Sequence, residues 1–162
     1  MNQPTAADPS SASAPPDIAS HHEVVLVVDF GSQTAQLIAR RIRESGTLAF
    51  LVSHAAPLDV LKSYNPKGIV LSGGPASVYA EGAPACNPEI FKLGVPVLGI
   101  CYGLQAACHA LGGSVSPATH REFGSAQLSI NEHHDILKGV PERTTVWMSH
   151  GDQVTELSDS FI

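Results

Sequence analysis

A cysteine near the middle of the chain, Cys101, occupies a position suited to a nucleophile. An apolar, partly β-branched run over residues 95–100 predicts a buried strand, and a helix-competent segment over 104–111 follows at once. Cys101 therefore falls on a strand-to-helix turn. Gly99 and Gly103 lie two residues on either side of it, as in the G-x-S-x-G elbow, where the turn is so tight that flanking side chains would collide.

The surroundings of such a thiol decide what chemistry it can do. The first backbone N–H groups of the following helix are unpaired and lie at the positive end of the helix dipole, so they favour the thiolate form. The same amides can hold a developing oxyanion, and the N–H of Tyr102 is the nearest candidate. The alternative is that Cys101 is a buried small hydrophobic residue, the commonest fate of a free cysteine. The paired glycines favour a nucleophile.

A second glycine-rich turn, Gly73-Gly74-Pro75, follows the apolar run over residues 68–72. It lacks the lysine of a Walker loop and the aspartate of the S-G-G-x-D-S loop of ATP pyrophosphatases, which disfavours phosphate binding. Open α/β sheets place ligands at the carboxyl ends of their strands, so we expect this turn to supply a second oxyanion donor. A plain turn between a strand and a helix is the alternative.

Repeated β-α units predict the fold class: α/β, with a doubly wound, mostly parallel sheet of flavodoxin-like type. The run over residues 24–30 is continuously apolar, as expected for a central parallel strand covered on both faces. Helical spacing follows over 35–42. The same patterns predict strands over 49–53 and 68–72, a helix over 57–63, and two later strands nearer an edge, over 126–130 and 144–148.

Polar residues follow the last of these predicted strands: Ser149, His150, Gly151 and Asp152. At the carboxyl end of a strand, that composition indicates a ligand loop. We expect it to lie on the same edge of the sheet as residues 30–32, 73–74 and Cys101.

Composition narrows the class of protein and its partners. The chain has 162 residues, 43% of them hydrophobic and 15% charged, which predicts one globular domain over residues 23–162. Residues 1–22, rich in alanine, serine and proline, predict a disordered tail. The net charge of -6 and the lack of a basic cluster argue against nucleic acid as a partner.

The three cysteines form an odd set without C-x-x-C spacing, which fits neither a disulfide framework nor a zinc site. A reducing cytoplasm suits them best. The start of the chain lacks the basic and apolar regions of a secretory leader, and no stretch approaches the roughly 20 apolar residues of a membrane span. We therefore expect a cytoplasmic protein that binds no membrane.

Taken together, the motifs resemble those of the class I, or triad type, glutamine amidotransferases, and among them the amidotransferase domain of the GMP synthetases. The resemblance covers nearly everything after residue 22. The stretches that carry it are V-V-D-F-G-S-Q from Val27, G-I-V-L-S-G-G-P from Gly68, G-V-P-V-L-G-I-C-Y-G-L-Q from Gly94, R-E-F-G from Arg121 and W-M-S-H-G-D from Trp147.

The resemblance implies a reaction and a set of site residues. Cys101 would attack the side-chain amide of glutamine to give a thioester, with the amides of Gly74 and Tyr102 as oxyanion donors. Gln105 and the segment Ser149 to Asp152 would hold the amino-acid end of glutamine. No cofactor or metal is implied in this segment. ATP and magnesium would act in a synthetase domain, in the same or a partner chain, that converts XMP to GMP, and the full protein would be a homodimer.

One departure from the family pattern bears on activity. The family's nucleophile is served by a histidine and a glutamate in an H-P-E motif, which the sequence lacks. We therefore expect an N-terminal fragment, truncated at its C-terminus, with negligible glutaminase activity by itself, because the departing nitrogen needs a proton donor. His150 matches the S-H-G-D segment rather than the H-P-E motif. The remaining histidines of the globular region match no catalytic motif and are interpreted as surface or core residues: His54, His109, His120, His133 and His134.

Two other functions stay open. The chain could be a non-catalytic flavodoxin-like module that binds glutamine or a partner. It could also be another class I amidotransferase or a cysteine hydrolase on the same fold, such as a γ-glutamyl hydrolase, which would not need R-E-F-G or M-S-H-G-D.

Overall fold

Four parallel strands form the sheet that the apolar runs predict. They are β1 (Val24–Asp29), β2 (Leu48–Ser53), β3 (Gly68–Leu71) and β4 (Val97–Gly99), in the order β2-β1-β3-β4. Every neighbouring pair runs parallel. The direction of winding reverses between β1 and β3, and doubly wound sheets bind ligands at the carboxyl ends of the strands where this reversal occurs. The predicted α/β fold with a mostly parallel sheet is confirmed.

Within residues 22–162, three α-helices connect or follow these strands: α1 (Thr34–Glu44), α2 (Leu58–Ser63) and α3 (Tyr102–Ala110). The same part of the chain has short 3₁₀ helices over Pro88–Lys92 and Asp135–Leu137. None of the helices in the described part of the chain is both long and apolar enough to cross a bilayer.

The computed structural model describes residues 15–17, 19 and 22–162, without the side chains of 118–123 and 149–150. The disordered tail predicted over residues 1–22 lies mainly outside the described residues. Ala19 is described, and it is buried in the larger core cluster. The chain divides into two compact units, of which the second comprises Ser116–Gln153.

Both faces of the sheet are packed, which explains why the strands are continuously apolar. Leu26 and Val28 of β1 belong to the larger cluster, and Val27 belongs to the cluster beneath α1. All three are almost fully buried. Burial of a branched aliphatic side chain contributes about 1.5–3 kcal/mol, so the central strand is a main source of stability.

On the face that carries α1, apolar side chains leave an open groove of about 330 Å³. The residues that line it include Val70 of β3, Leu98 of β4, and Leu37 and Ile38 of α1. Leu37 and Leu98 are exposed. The helix α1 therefore does not fully cover β4 on this face of the sheet.

The second unit contains most of two long strands, β5 (Ser114–Ser129) and β6 (Arg143–Glu156), and the segment that connects them. They pair with each other in a two-stranded sheet. The strands predicted over 126–130 and 144–148 are present, but they do not lie nearer an edge of the four-stranded sheet. Their local pattern indicates strands, but the choice of partner depends on contacts between residues far apart in the chain.

The predicted ligand loop over residues 149–152 is also wrong as a secondary-structure assignment, because these residues lie inside β6. A strand in a two-stranded sheet does not have both faces buried. Polar residues therefore fit it as well as apolar ones, and the polar composition of this segment did not reveal the strand.

Candidate active site

Cys101 lies on the predicted turn, between the end of β4 and the first residue of α3. Cys101 is exposed to solvent. The backbone angles are φ +49° and ψ -117°, a region that a residue with a Cβ adopts only under strain. The N–H of Ile100 donates to the carbonyl of Leu71 at 2.9 Å and ties the approach to the turn onto β3. The structure confirms the strand-to-helix elbow.

The two flanking glycines are required by the packing. A Cβ on Gly99 would lie 2.5 Å from the Cα of Leu104. A Cβ on Gly103 would overlap the carbonyl group of Leu71. Real Cβ atoms do not approach backbone this closely, so the collision expected from the sequence is confirmed on both sides of Cys101.

The first turn of α3 leaves one amide near the thiol without a partner. Gly103 donates to the carbonyl of Ile100 and Leu104 donates to that of Cys101, each at 3.0 Å. Tyr102 donates no backbone hydrogen bond to any residue that the structure describes. Its N–H is therefore available for an oxyanion, as are the first amides of helices in general.

The turn after β3 brings Gly73 and Gly74 to the same place. A Cβ on Gly73 would lie 3.7 Å from the Cβ of Cys101, and one on Gly74 would lie 3.3 Å from the Cδ1 of Tyr102. Within the described part of the chain, the amide of Gly74 donates to no acceptor. The structure therefore brings Cys101, Tyr102 and Gly74 together.

A buried serine fixes this glycine turn. The hydroxyl of Ser72 accepts from the N–H of Phe30 at 3.3 Å and donates to the carbonyl of Gly73 at 3.0 Å. Its own N–H donates to the carbonyl of Val28. Ser72 is fully buried, so the end of β1 and the turn after β3 are linked where water does not compete.

The turn after β1 contributes a pair of hydroxyl groups at this edge. One carboxylate oxygen of Asp29 accepts from the N–H groups of Gly31 and Ser32, at 2.8 and 3.3 Å. The hydroxyls of Ser32 and Thr34 lie 2.6 Å apart. Both lie within 4 Å of the Cβ position of Gly73. Sequence reasoning placed residues 30–32 at this edge but did not single out Thr34.

An aromatic contact beside the glycine turn was missed altogether. The ring of Phe30 stacks on that of His54, with centroids 5.8 Å apart, and tilts against that of Tyr102 at 5.3 Å. His54 directly follows β2. Its position at the carboxyl end of a parallel strand could have indicated a place near the site, but His54 belongs to no sequence motif.

The residues predicted to hold the amino-acid end of the substrate fall in two places. Gln105 is buried on α3, one turn after Cys101, and its N–H donates to the Cys101 carbonyl at 3.2 Å. Residues 149–152 lie in β6, within the second unit, where Gly151 is exposed and Asp152 half-buried. Among the described residues, no cluster of three His, Cys, Asp or Glu side chains could hold a metal ion.

The other two cysteines have different surroundings. Burial raises the pKa of the Cys86 thiol. Burial, and secondarily the charge of Glu156, raise the pKa of the Cys108 thiol. Cys108 is fully buried and its sulfur contacts the Glu156 carbonyl at 3.3 Å, so this cysteine packs in the interior.

A strained strand-to-helix turn on the carboxyl edge of a doubly wound sheet is the geometry in which one class of α/β proteins holds a nucleophile. A family model for glutamine amidotransferase class I matches residues 26–162. The chain belongs to this family.

Similar proteins of known name include two GMP synthases described as glutamine-hydrolysing. The one from Prochlorococcus marinus (strain NATL1A) is 52% identical over 139 residues, which cover 85% of this chain and 26% of the relative. The one from Campylobacter fetus subsp. fetus (strain 82-40) is 54% identical over 137 residues, covering 85% and 27%. The chain thus spans about a quarter of the length of these relatives and corresponds to their amidotransferase portion.

Solved structures support the same assignment. A protein from Thermoplasma acidophilum, described as one subunit of a GMP synthase, is 30% identical and superposes with a TM-score of 0.68. That match covers 86% of this chain and 70% of the other. A glutamine amidotransferase from Thermotoga maritima is 25% identical, with a TM-score of 0.61, over 82% of this chain and 62% of the other.

Proposed function

We propose that this chain is the glutamine-hydrolysing part of a GMP synthase, in which Cys101 is the nucleophile. The observation that carries the proposal is the position of Cys101, exposed on a strained elbow beside the amides of Tyr102 and Gly74, which donate to no residue that the structure describes. Residues 23–162 would belong to one amidotransferase domain.

The proposed reaction begins with a bond between sulfur and carbon. The thiolate of Cys101 attacks the side-chain carboxamide carbon of glutamine, and the carbonyl oxygen takes up the negative charge. The N–H groups of Tyr102 and Gly74 hold that oxyanion, which the ground-state amide does not present, so they stabilise the transition state selectively. When the carbon–nitrogen bond breaks, the nitrogen takes a proton and leaves as ammonia, and a γ-glutamyl thioester remains.

Water then attacks the thioester, glutamate leaves, and the thiolate is restored. Both steps need a group that moves protons. Among the described residues, no side chain hydrogen-bonds to the thiol of Cys101. We propose that the histidine of an H-P-E motif, which the family resemblance implies, performs this role in the whole protein.

The substrate carries an ammonium and a carboxylate, and both favour polar partners. We propose that Gln105 and residues 149–152 (Ser149, His150, Gly151 and Asp152) bind this end of glutamine. The half-buried carboxylate of Asp152 would suit the ammonium group.

The rest of the proposal concerns the whole protein. Ammonia would pass to a synthetase domain that uses ATP and magnesium to convert XMP to GMP, in a cytoplasmic homodimer. The names of the relatives and the quarter of their length that this chain spans support this proposal.

The test is to replace Cys101 with serine in the full-length protein and to follow GMP formation from XMP with either glutamine or ammonium salt as nitrogen donor. We expect the variant to lose the glutamine-dependent reaction by about 10³-fold or more and to keep the ammonia-dependent one. Equal activity of variant and wild type with glutamine would contradict the role of Cys101. Glutamine hydrolysis without GMP formation would indicate a γ-glutamyl hydrolase instead.

A further inference from the structure

The segment between the glycine turn and the next 3₁₀ helix is held by side chains from the site. Residues 75–87 form neither helix nor strand, so regular backbone pairing does not fix them. The hydroxyl of Tyr102 donates to the carbonyl of Pro84 at 2.6 Å. The Nδ1 of His54 lies 3.2 Å from the carbonyl of Ala85, and because a carbonyl only accepts, Nδ1 carries the proton.

The two side chains that make these hydrogen bonds share one aromatic neighbour. The ring of Phe30 is stacked on His54 and tilted against Tyr102. The backbone of Gly74 rests on the same group: a Cβ there would lie 3.0 Å from the Phe30 carbonyl, 3.1 Å from the Phe30 Cβ and 3.3 Å from Tyr102 Cδ1. Together, Phe30, His54 and Tyr102 therefore contact Gly74, just before the segment, and the backbone near the end of the segment.

We propose that His54 is a positioning residue for the oxyanion amide of Gly74. His54 binds the carbonyl of Ala85, and the Tyr102 hydroxyl binds that of Pro84. These two hydrogen bonds keep residues 75–87, and with them the preceding Gly74, packed against Phe30. This inference rests on the proposed function, because it assigns His54 a part in the same reaction. His54 does not touch the reacting atoms.

Loosening of this segment should affect the transition state more than the bound substrate. An oxyanion donor acts on charge that develops during the reaction, so its displacement lowers kcat and leaves KM for glutamine nearly unchanged. Small misplacements in active sites reduce rates by up to about 100-fold. Since the two hydrogen bonds hold adjacent carbonyls, their removal should be non-additive.

Three variants of the full-length protein test the proposal. His54→Phe keeps a ring on Phe30 and removes the hydrogen bond to Ala85. Tyr102→Phe keeps the ring and removes the bond to Pro84, and the double variant removes both. The matched control is Tyr64→Phe: Tyr64 is buried and packs on Phe50 in the same core cluster, but among the described residues its side chain makes no hydrogen bond or ring contact with residues 75–87.

We expect kcat with glutamine to fall about 10-fold in His54→Phe, with KM within about two-fold and ammonia-dependent activity unchanged. We expect the double variant to lose less than the product of the single effects. Tyr64→Phe should keep kcat. Unchanged kcat in both single variants, or an increase in KM for glutamine with unchanged kcat, would overturn the proposal. So would an equal loss of ammonia-dependent activity, which would indicate a general folding defect.

Hydrogen exchange of peptides covering residues 73–87, measured on the same proteins, separates this proposal from the proposed function. We expect exchange to be at least several-fold faster in His54→Phe and in the double variant, and unchanged in Tyr64→Phe. If wild type does not hydrolyse glutamine, the proposed function fails, while this readout still reports on the segment. Unchanged exchange in His54→Phe would overturn the proposal whatever the activity.

Discussion

Gly103 packs so tightly against Leu71 that a Cβ on Gly103 would overlap the Leu71 carbonyl group. This contact sets the distance between α3 and β3, and so fixes where Cys101 lies at the carboxyl edge of the sheet. The second tight contact, between Gly99 and Leu104, closes the turn from the other side. The exposure of the thiol thus depends on two residues that carry no side chain.

Replacement of Gly103 by alanine should destabilise the protein. The new methyl group meets backbone rather than the movable end of a side chain, so α3 has to shift. We expect the free energy of unfolding to fall by about 3 kcal/mol, measured by denaturant titration of the chain. Gly151→Ala is the control, because its Cβ would meet nothing within 4 Å. A loss at Gly103 no larger than at Gly151 would contradict the packing described.

Removal of the Ser72 hydroxyl should also weaken the protein. Ser72→Ala leaves the N–H of Phe30 and the carbonyl of Gly73 without this buried partner. We expect a loss of about 1–3 kcal/mol in the free energy of unfolding. Ser63→Ala is the matched control, since its hydroxyl donates to the Val60 carbonyl at an exposed site. Equal effects of the two substitutions would show that burial of the Ser72 bonds does not matter.

The two glycines of the turn after β3 should respond differently to alanine. At Gly74 the methyl group would lie 3.0 Å from the Phe30 carbonyl, so the amide has to move by a few tenths of an ångström. We expect Gly74→Ala to lower kcat with glutamine about 10-fold in the full-length protein. At Gly73 the nearest contact would be an ordinary 3.4 Å, so the stability of Gly73→Ala should stay within about 0.5 kcal/mol of wild type. Unchanged kcat in Gly74→Ala would argue against its amide as an oxyanion donor.

The half-buried Cys86 and the buried Cys108 should be labelled slowly, and their labelling rates should keep rising to a higher pH than that of a free thiol. Burial raises the pKa of Cys86 and of Cys108 above the ordinary value of 9.0, so at neutral pH each has less thiolate than a free thiol. Alkylation by iodoacetamide, followed by peptide mass spectrometry, should accelerate at both sites until the pH passes well above 9.0. A labelling rate at Cys86 or Cys108 that reaches its plateau below that value would contradict the effect of burial.

The parallel sheet was predictable because its signal is local. β1 spans Val24–Asp29 where the apolar run covers 24–30, and α1 contains the residues whose spacing is helical. A strand covered on both faces must be apolar throughout, so burial is visible in the sequence itself. The elbow at Cys101 was predictable for a similar reason, since its glycines are adjacent to it in the chain.

What the sequence did not reveal depends on contacts between distant residues. The pairing of β5 with β6 joins segments that no local pattern links, and the polar residues 149–152 gave no sign of a strand. His54 and Tyr102 meet the same ring, Phe30, only after three strands have assembled. The oxyanion turn was predicted, but the side chains that hold it were not.

Covalent trapping tests most directly whether Cys101 is the nucleophile. The full-length protein is incubated with a glutamine analogue that carries an electrophilic diazoketone, then digested and mapped by mass spectrometry, with excess glutamine as competitor. We predict one modified site, Cys101, protected by glutamine and absent from Cys101→Ser, with Cys86 and Cys108 unmodified. Modification of Cys86 or Cys108 in place of Cys101, or labelling that glutamine does not slow, would contradict the role of Cys101 as the nucleophile.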